Sequence, residues 1–179
     1  MKKQNKKQGF TLVELLVVIA ILAILATVSI VGYTAFIKKA HESNALAEAN
    51  QIKEVIRAEL IAGNDFVIGT KETTPAAGET LAVTTTYTIK LDGEIYIVKG
   101  LSSAADSTEQ VADKGTDLTS CFQTLNDGDL KDLFADGNKI TVGENGLTLI
   151  YTDSVNKIYV EIDLNADTAK LTSDPTPAA

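Results

Sequence analysis

Residues 9 to 20 read Gly9-Phe10-Thr11-Leu12-Val13-Glu14-Leu15-Leu16-Val17-Val18-Ile19-Ala20. This stretch opens an apolar run, because the 23 residues from Leu15 to Ile37 carry no charge. At about 1.5 Å per helical residue, a run of that length spans the roughly 30 Å hydrocarbon core of a bilayer. The stretch therefore predicts a membrane-spanning helix with one carboxylate, Glu14, close to its start.

A basic leader precedes the apolar run. Its lysines are Lys2, Lys3, Lys6 and Lys7, and no acidic residue lies among them. Clusters of positive charge stay on the cytoplasmic side of a membrane helix. We therefore expect a single-pass protein of the cytoplasmic membrane whose carboxyl terminus lies outside.

Glu14 is the residue that an ordinary membrane anchor would lack. An ionisable side chain in a membrane segment costs at least about 2.5 kcal/mol on insertion scales, so it indicates a function and a partner. Cleavage after Gly9 would leave a cationic amine on Phe10, one helical turn before Glu14. The amine of a neighbouring copy could reach the same carboxylate, which would make Glu14 an assembly residue.

The run from Lys6, Lys-Lys-Gln-Gly-Phe-Thr-Leu-Val-Glu-Leu-Leu-Val-Val-Ile-Ala-Ile, resembles the class III signal peptide of type IV prepilins. This resemblance implies that a prepilin peptidase cuts between Gly9 and Phe10 and that the same enzyme methylates the new amine of Phe10. It also implies that Glu14 serves assembly at a platform in the cytoplasmic membrane. Copies of the chain would then pack helically into an extracellular pilus.

Two positions depart from many members of that family. Val31-Gly32 stands where many pilins have a proline that kinks the helix. Cys121 is the only cysteine of the chain, so the carboxy-terminal disulfide loop of many Gram-negative pilins cannot form. The resemblance is therefore to a Gram-positive-like pilin that lacks this loop.

Other readings of the amino terminus compete with a pilin. A conventional secretory signal has a shorter apolar core, with its small residue after that core and not before it. A plain membrane anchor has no use for Gly9-Phe10. The remaining alternatives are a pseudopilin of a type II secretion or DNA-uptake machine and a membrane-anchored extracellular binding domain that does not polymerise.

The chain divides by composition into a leader (1–9), an apolar helix (10–37) and an extracellular head (38–179). It has 16 basic and 24 acidic residues, and without the leader lysines its net charge would be −12. Such a head repels nucleic acid, for which binding proteins use basic patches. We expect an α+β head that has no cofactor. Because a single cysteine cannot form an internal disulfide, packing alone must stabilise this head.

Helical spacing continues beyond the membrane run. One apolar stripe comprises Ala45, Ala49, Ile52, Ile56 and Leu60. The opposite, solvent-exposed face of the helix is expected to hold Glu42, Glu48, Lys53, Glu54, Arg57 and Glu59. The helix is predicted from Phe10 to Ala62, and Gly63-Asn64 is expected to end it.

The rest of the head is predicted to be an antiparallel sheet that covers the helical stripe. Residues 63 to 84 are expected to be irregular, and 101 to 117 polar. A hairpin turns at Asp92-Gly93, with Tyr87, Ile89, Leu91, Tyr96 and Val98 on one face. One or two short helices are expected within 118–134. Further strands are predicted at Lys139 to Val142, Leu147 to Thr152, Lys157 to Leu164 and Ala169 to Thr172.

Catalytic or metal chemistry has weak support in the sequence. The only Cys/His pair is Cys121 with His41, and we expect a buried small cysteine and a solvated histidine in place of a catalytic pair. Acidic and amide residues at Asn126, Asp127, Asp129, Asp132 and Asp136 suggest calcium, but their spacing fails the EF-hand pattern. We therefore predict no metal site and a structural protein that is not an enzyme.

Overall fold

The computed structural model describes residues 10–73, 83–101, 108–125, 128–134, 137–152 and 156–174. The helices in this part of the chain are α1 (Leu12–Ile61), α2 (Thr119–Gln123) and α3 (Gly128–Leu133). The strands are β1 (Phe66–Thr73), β2 (Val83–Ile89), β3 (Ile95–Leu101), β4 (Thr108–Val111), β5 (Lys139–Val142), β6 (Gly146–Thr152), β7 (Lys157–Asp163) and β8 (Thr168–Thr172). The prediction of an α+β fold is confirmed. The chain divides into two compact units, one up to Ala40 and one from His41 onward.

Helix α1 is confirmed, with 50 residues where the sequence predicted 53. It ends as Gly63 and Asn64 indicated. Gly63 adopts a φ of 84°, its N–H donates to the carbonyl of Leu60 at 3.1 Å, and the Asn64 N–H donates to the carbonyl of Glu59 at 3.1 Å. These two bonds form a Schellman cap, which satisfies carbonyls that a helix end otherwise leaves open.

The predicted apolar stripe of α1 lies in the core. Ala45, Ala49, Ile52 and Ile56 are completely buried, and Leu60 is 5% exposed. Full burial of a large aliphatic side chain contributes about 1.5 to 3 kcal/mol. The second half of α1 is therefore held in the head by one continuous apolar face.

Lys53 was predicted on the wetted face of α1, and that prediction is wrong. The residue is 7% exposed. Its Nζ lies 3.1 Å from Oδ1 of Asp167 and donates to the carbonyl of Asp167 at 3.2 Å. The lysine stem can cover apolar surface while its ammonium group reaches a carboxylate, so burial does not leave the charge unpaired.

The first sheet has strand order β1-β2-β3-β4, all antiparallel. Two of its strands correct the sequence-based predictions, because β1 lies in the segment expected to be irregular and β4 in the segment expected to be merely polar. Gly69 interrupts the alternation of β1 at a bulge between Val67 and Gly69. The segment was predicted to be irregular because it holds few large apolar residues, but two of these, Phe66 and Ile68, face the core.

The β2–β3 hairpin is confirmed, but its predicted face is wrong. The Lys90 N–H donates to the carbonyl of Glu94 and the Gly93 N–H to that of Lys90, so the loop has three residues rather than two. The extra residue shifts β3 by one position. Ile95 and Ile97 therefore face inward opposite Ile89 and Tyr87, and Leu91 is exposed. Tyr96 and Val98 consequently lie on the outer face, because a one-residue shift exchanges the two faces of a strand.

The second sheet has strand order β5-β6-β7-β8, and its four predicted strands are confirmed. Its existence as a separate sheet was not predicted. The polar segment from Gly115 to Leu118 leaves the first sheet and lines the edge of β5. There the Gly115 N–H donates to Val142 O at 2.8 Å and the Leu118 N–H to Ile140 O at 2.9 Å. The edge of β5 is thereby covered.

The inner face of the second sheet meets α1 through polar as well as apolar contacts. The Nδ2 of Asn138, the residue before β5, donates to Glu48 Oε2 at 2.8 Å. The His41 ring lies 6.5 Å from that of Tyr151 on β6. At the other end of the helix segment, the Arg57 guanidinium donates to Leu164 O at 3.2 Å. The second sheet is therefore attached to α1 at several turns of the helix.

The two predicted short helices are confirmed as α2 and α3. Phe122 of α2 is completely buried, and its ring lies 6.4 Å from Phe66 and 5.4 Å from Phe134. These aromatic contacts connect β1, α2 and the end of α3 within one core.

Candidate assembly site

The predicted site residues lie at the start of α1. Gly9 and the rest of the leader lie outside the described residues. Phe10 is 83% exposed and directly precedes Thr11, whose N–H begins the capping interactions of α1. Glu14 occupies the first turn of the helix.

Glu14 and Thr11 form a reciprocal cap. The Thr11 N–H donates to Glu14 Oε2 at 2.9 Å and the Thr11 hydroxyl donates to the same oxygen at 2.7 Å. In return the Glu14 N–H donates to Thr11 Oγ1 at 3.3 Å. This is a capping box, in which each of two residues at the start of a helix accepts, with its side chain, the otherwise unpaired backbone N–H of the other. A carboxylate in the first turn also interacts favourably with the helix dipole.

Sequence reasoning missed Thr11. The available signal was a threonine three residues before a glutamate at the head of an apolar run, which is the signature of a capping box. Thr11 contributes neutral donors only, so it orients the Glu14 carboxylate without neutralising its charge. A carboxylate can accept about four hydrogen bonds, and this one therefore keeps acceptor capacity for a cation.

The apolar side chains that follow Glu14 are exposed on all sides of the helix. Their exposed fractions run from 45% at Val18 to 69% at Phe36. By length and composition this part of α1 could cross a membrane, although a signal sequence would pass the same test. An exposed apolar surface of this extent requires lipid or another protein as its partner.

Two hydroxyl side chains within the apolar run are satisfied by the helix itself. The Thr27 hydroxyl donates to Ile24 O at 2.8 Å and the Ser29 hydroxyl to Leu25 O at 2.7 Å. In hydrocarbon an unsatisfied polar group costs several kcal/mol, so such internal bonds suit either a bilayer or a packed helical bundle.

The head residues considered for catalysis have separate structural surroundings. Cys121 is 2% exposed and packs against Gly69, where a side chain in place of the glycine would bring its Cβ within 3.2 Å of the Cys121 Cβ. The His41 ring is tilted against that of Tyr151, with the centroids 6.5 Å apart, and the expectation of a solvated histidine is wrong because the residue is half-buried. The cysteine matches the expected buried small side chain.

The described residues contain no group of three or more His, Cys, Asp or Glu side chains placed to hold a metal ion. Three members of the suggested calcium run, Asn126, Asp127 and Asp136, lie outside those residues. Asp132 is exposed on α3.

An ordered polar network lies on the outer face of the β2–β3 hairpin. The Tyr96 hydroxyl donates to Asp92 Oδ2 at 2.7 Å, and this bond raises the pKa of Tyr96 to about 12. The same hydrogen bond lowers the pKa of Asp92 from its usual value. Lys90 lies 4.4 Å from the Tyr96 ring centroid and forms an ion pair with Glu109. The network fixes the hairpin.

Comparison with known proteins agrees with the geometry at the start of α1. Residues 4–30 match the family described as Prokaryotic N-terminal methylation motif. The chain is 30% identical to the type IV major fimbrial protein FimA of Dichelobacter nodosus, over 53% of this chain and 71% of that relative. No solved structure matches. The methylation motif, the apolar helix and this relative together show that the chain belongs to the type IV pilin family.

Proposed function

We propose that this chain is the structural subunit of a type IV pilus and has no enzymatic activity. The observation that carries the proposal is the long apolar face of α1, exposed on all sides and headed by one capped carboxylate. A helix of this kind suits storage in a membrane and later packing against copies of itself. The fimbrial relative supports the same conclusion.

Processing is the first step of the proposal. A prepilin peptidase cuts between Gly9 and Phe10 and the same enzyme methylates the amine of Phe10. The precursor and the subunit pool span the cytoplasmic membrane with the carboxyl terminus outside, and the assembled filament is extracellular. Residues 1–9 then form the leader, 10–37 the assembly helix and 38–179 the head.

Glu14 acts in assembly through its charge. A carboxylate in hydrocarbon tends to bind a proton unless a cation offsets the lost hydration. Thr11 orients the side chain, and the Phe10 ammonium of an incoming subunit supplies the cation. A subunit out of axial register leaves the two charges apart, so the pair selects register while apolar helix packing supplies most of the contact.

Three variants separate the charge of Glu14 from its capping role. Glu14→Gln keeps an acceptor for the Thr11 donors and loses the charge, Glu14→Val loses both, and Thr11→Ala keeps the charge and loses the side-chain cap. Each is expressed beside the wild-type subunit, and its share in sheared filaments is compared with its share in the membrane pool. We expect both Glu14 variants to be cleaved but under-represented in filaments, and Thr11→Ala to be incorporated better than either.

Equal incorporation of Glu14→Gln would contradict the assembly role of the charge. If Thr11→Ala were excluded as strongly as Glu14→Val, the cap would be the essential feature instead.

The competing functions are a pseudopilin and an anchored domain that never polymerises. Mass spectrometry of sheared surface filaments distinguishes them, since a pilus subunit is abundant there and begins with N-methylated Phe10. Finding the chain only in membranes would favour one of the alternatives, and an intact Met1 would exclude processing. The experiment should include Gly9→Leu, which is expected to block the cut and keep the precursor in the membrane.

A further inference from the structure

The turn between β5 and β6 contains the one asparagine of the chain that precedes a glycine, in the pair Asn145-Gly146. An asparagine loses ammonia when the backbone nitrogen of the next residue attacks its side-chain amide carbon. A glycine at that next position favours the attack, because it has no Cβ to crowd the nitrogen and its backbone is the least restricted. The Asn145 side chain is exposed, so water reaches the reacting amide.

The fold requires the glycine at position 146. Gly146 has a φ of 138°, a conformation that residues with a side chain rarely adopt. A Cβ at this position would lie 2.6 Å from the carbonyl oxygen of Ile162 on β7. The Gly143 N–H also donates to Gly146 O at 2.8 Å and closes the turn. The close approach of β6 to β7 therefore keeps the least hindered type of residue directly after Asn145.

The reaction has two steps, and water is its only co-reactant. In the first step the Gly146 nitrogen forms a bond to Cγ of Asn145 while the bond from Cγ to Nδ2 breaks, and ammonia leaves with the proton of the Gly146 N–H. Water then adds to one of the two carbonyls of the cyclic imide and opens the ring. The product is an aspartate at position 145, or its isomer in which the main chain runs through the side chain. The net change converts one amide into one carboxylate without oxidation or reduction.

Two other asparagines of the head have surroundings that oppose this reaction. Asn165 is exposed, but its successor Ala166 carries a Cβ, and the Ala166 N–H already donates to Asp163 Oδ1 at 2.8 Å. Asn138 is 4% exposed, and its amide nitrogen donates to Glu48 Oε2 at 2.8 Å. Asn145 differs from both, because it combines an exposed amide with an unhindered successor.

Deamidation of Asn145 changes a contact between the β5–β6 turn and β7. The Nδ2 of Asn145 donates to Glu161 Oε1 at 3.0 Å. A carboxylate at position 145 cannot donate, and it would face the Glu161 carboxylate at close range. Like charges at such a distance repel each other, and solvent screens the repulsion incompletely because Glu161 is half-buried.

We propose that Asn145 is a site of spontaneous deamidation in the folded head, and that its conversion to a carboxylate loosens the attachment of the β5–β6 turn to Glu161. The modification needs no enzyme and adds one negative charge to a chain of net charge −8. The inference goes beyond the proposed function, because it concerns the head alone and holds whether or not the chain enters a filament.

The test incubates the purified full-length chain in a mild detergent at neutral and at mildly alkaline pH. After digestion with trypsin, Asn145 lies in the peptide of residues 140–157 and Asn165 in the peptide of residues 158–170. Tandem mass spectrometry measures the deamidated fraction at each asparagine over time. We expect Asn145 to be converted about ten-fold faster than Asn165, which corresponds to about 1.4 kcal/mol in activation free energy. The rate at Asn145 should rise with pH, because hydroxide removes the proton of the attacking nitrogen.

Two controls accompany this measurement. A sample that is digested before incubation corrects for conversion during the digest. Asn145→Gln is the matched variant, since it keeps an amide at the site but its longer side chain closes the ring more slowly. Isoelectric focusing should show an acidic form that accumulates in the wild type and not in Asn145→Gln. Gly146→Ala is unsuitable as a control, because its Cβ would clash with Ile162 O.

Asn145→Asp and Asn145→Ala separate the lost hydrogen bond from the added charge. Both variants lose the donor to Glu161, and only Asn145→Asp adds repulsion. In urea unfolding Asn145→Asp should therefore have the lower midpoint of the two. The difference should shrink at about 1 M salt, where the screening length falls to about 3 Å.

Each outcome decides one point. Equal rates at Asn145 and Asn165 in the folded chain would overturn the modification site. A midpoint of Asn145→Asp at or above that of Asn145→Ala would overturn the loosening by charge. Neither result bears on the pilus subunit, which the analysis of sheared filaments tests separately.

Discussion

The two halves of helix α1 differ in what covers their apolar side chains. From Leu12 to Phe36 the large apolar side chains that the structure describes are 45 to 79% exposed, whereas Ala45, Ala49, Ile52 and Ile56 have no exposed surface. Both halves belong to one uninterrupted helix of 50 residues. The second half is covered by the head, and the first half requires lipid or another protein as its cover.

This difference shows that one helix can serve two environments when its sequence pattern changes along it. An apolar surface on all sides suits hydrocarbon, and a single stripe with polar residues opposite suits a soluble core. Head stability and assembly should therefore respond to different substitutions, which the following experiments test.

The largest expected effect comes from matched substitutions in the two halves. Ile56→Ala should destabilise the head by about 2 to 5 kcal/mol, because it opens a cavity at a fully buried site. Ile19→Ala removes the same atoms from a residue that is 57% exposed and should leave head stability within about 0.5 kcal/mol. Urea unfolding of the full-length chains in a mild detergent, followed by circular dichroism, measures both. Equal losses would contradict the division of the helix.

A smaller effect is expected at the ion pair that attaches α1 to the β7–β8 turn. Asp167→Ala leaves the buried ammonium of Lys53 without its nearest carboxylate, and should cost about 1 to 2 kcal/mol because Asp167 itself is 48% exposed. The control is Glu54→Ala, whose Oε1 lies farther away, 3.6 Å from the same ammonium. An equal or larger loss in Glu54→Ala would contradict the assigned partner.

Cys121→Ala should have a still smaller effect. The thiol is buried, and its loss removes one small group from the core and should cost about 1 kcal/mol. A loss above about 3 kcal/mol in the same unfolding assay would indicate a role beyond packing.

The smallest effect concerns pH. Because the hydrogen bond to Asp92 raises the pKa of Tyr96 to about 12, this contribution to stability is present below pH 10 and is lost as the pH rises from about 10 towards 12. The pKa of Asp92 is lowered, so its contribution is present above about pH 3.8 and is lost at lower pH. An ultraviolet titration should assign a step near pH 12 that disappears in Tyr96→Phe. A Tyr96 step at pH 10 would contradict the hydrogen bond.

Patterns that depend on neighbours in sequence were predictable. The stripe of α1 follows from a 3.6-residue period, and the inward residues of β7 follow from strict alternation. The Gly63-Asn64 stop also belongs to this class, since a glycine tolerates the positive φ that a Schellman cap requires.

Predictions of which residues face the core failed where a single residue shifted the register of a strand. The third loop residue in the β2–β3 hairpin exchanged the faces of Tyr96 and Ile97. Strand β1 was not predicted because its segment has few large apolar residues and contains Gly69. Thr11 was predictable as well, because a threonine three residues before Glu14 is the local signature of a capping box.

The sequence by itself determined the apolar helix, its stop at Gly63-Asn64 and the α+β class, because each depends on composition or on spacing along the chain. Only the tertiary structure decided that the head contains two sheets, that Lys53 is buried against Asp167, and that Ile97 rather than Tyr96 faces inward on β3. Those features join residues far apart in the chain or depend on strand register. The spacing of residues along the chain encodes neither long-range contacts nor strand register, because side-chain contacts across strands are fixed only when the strands pair.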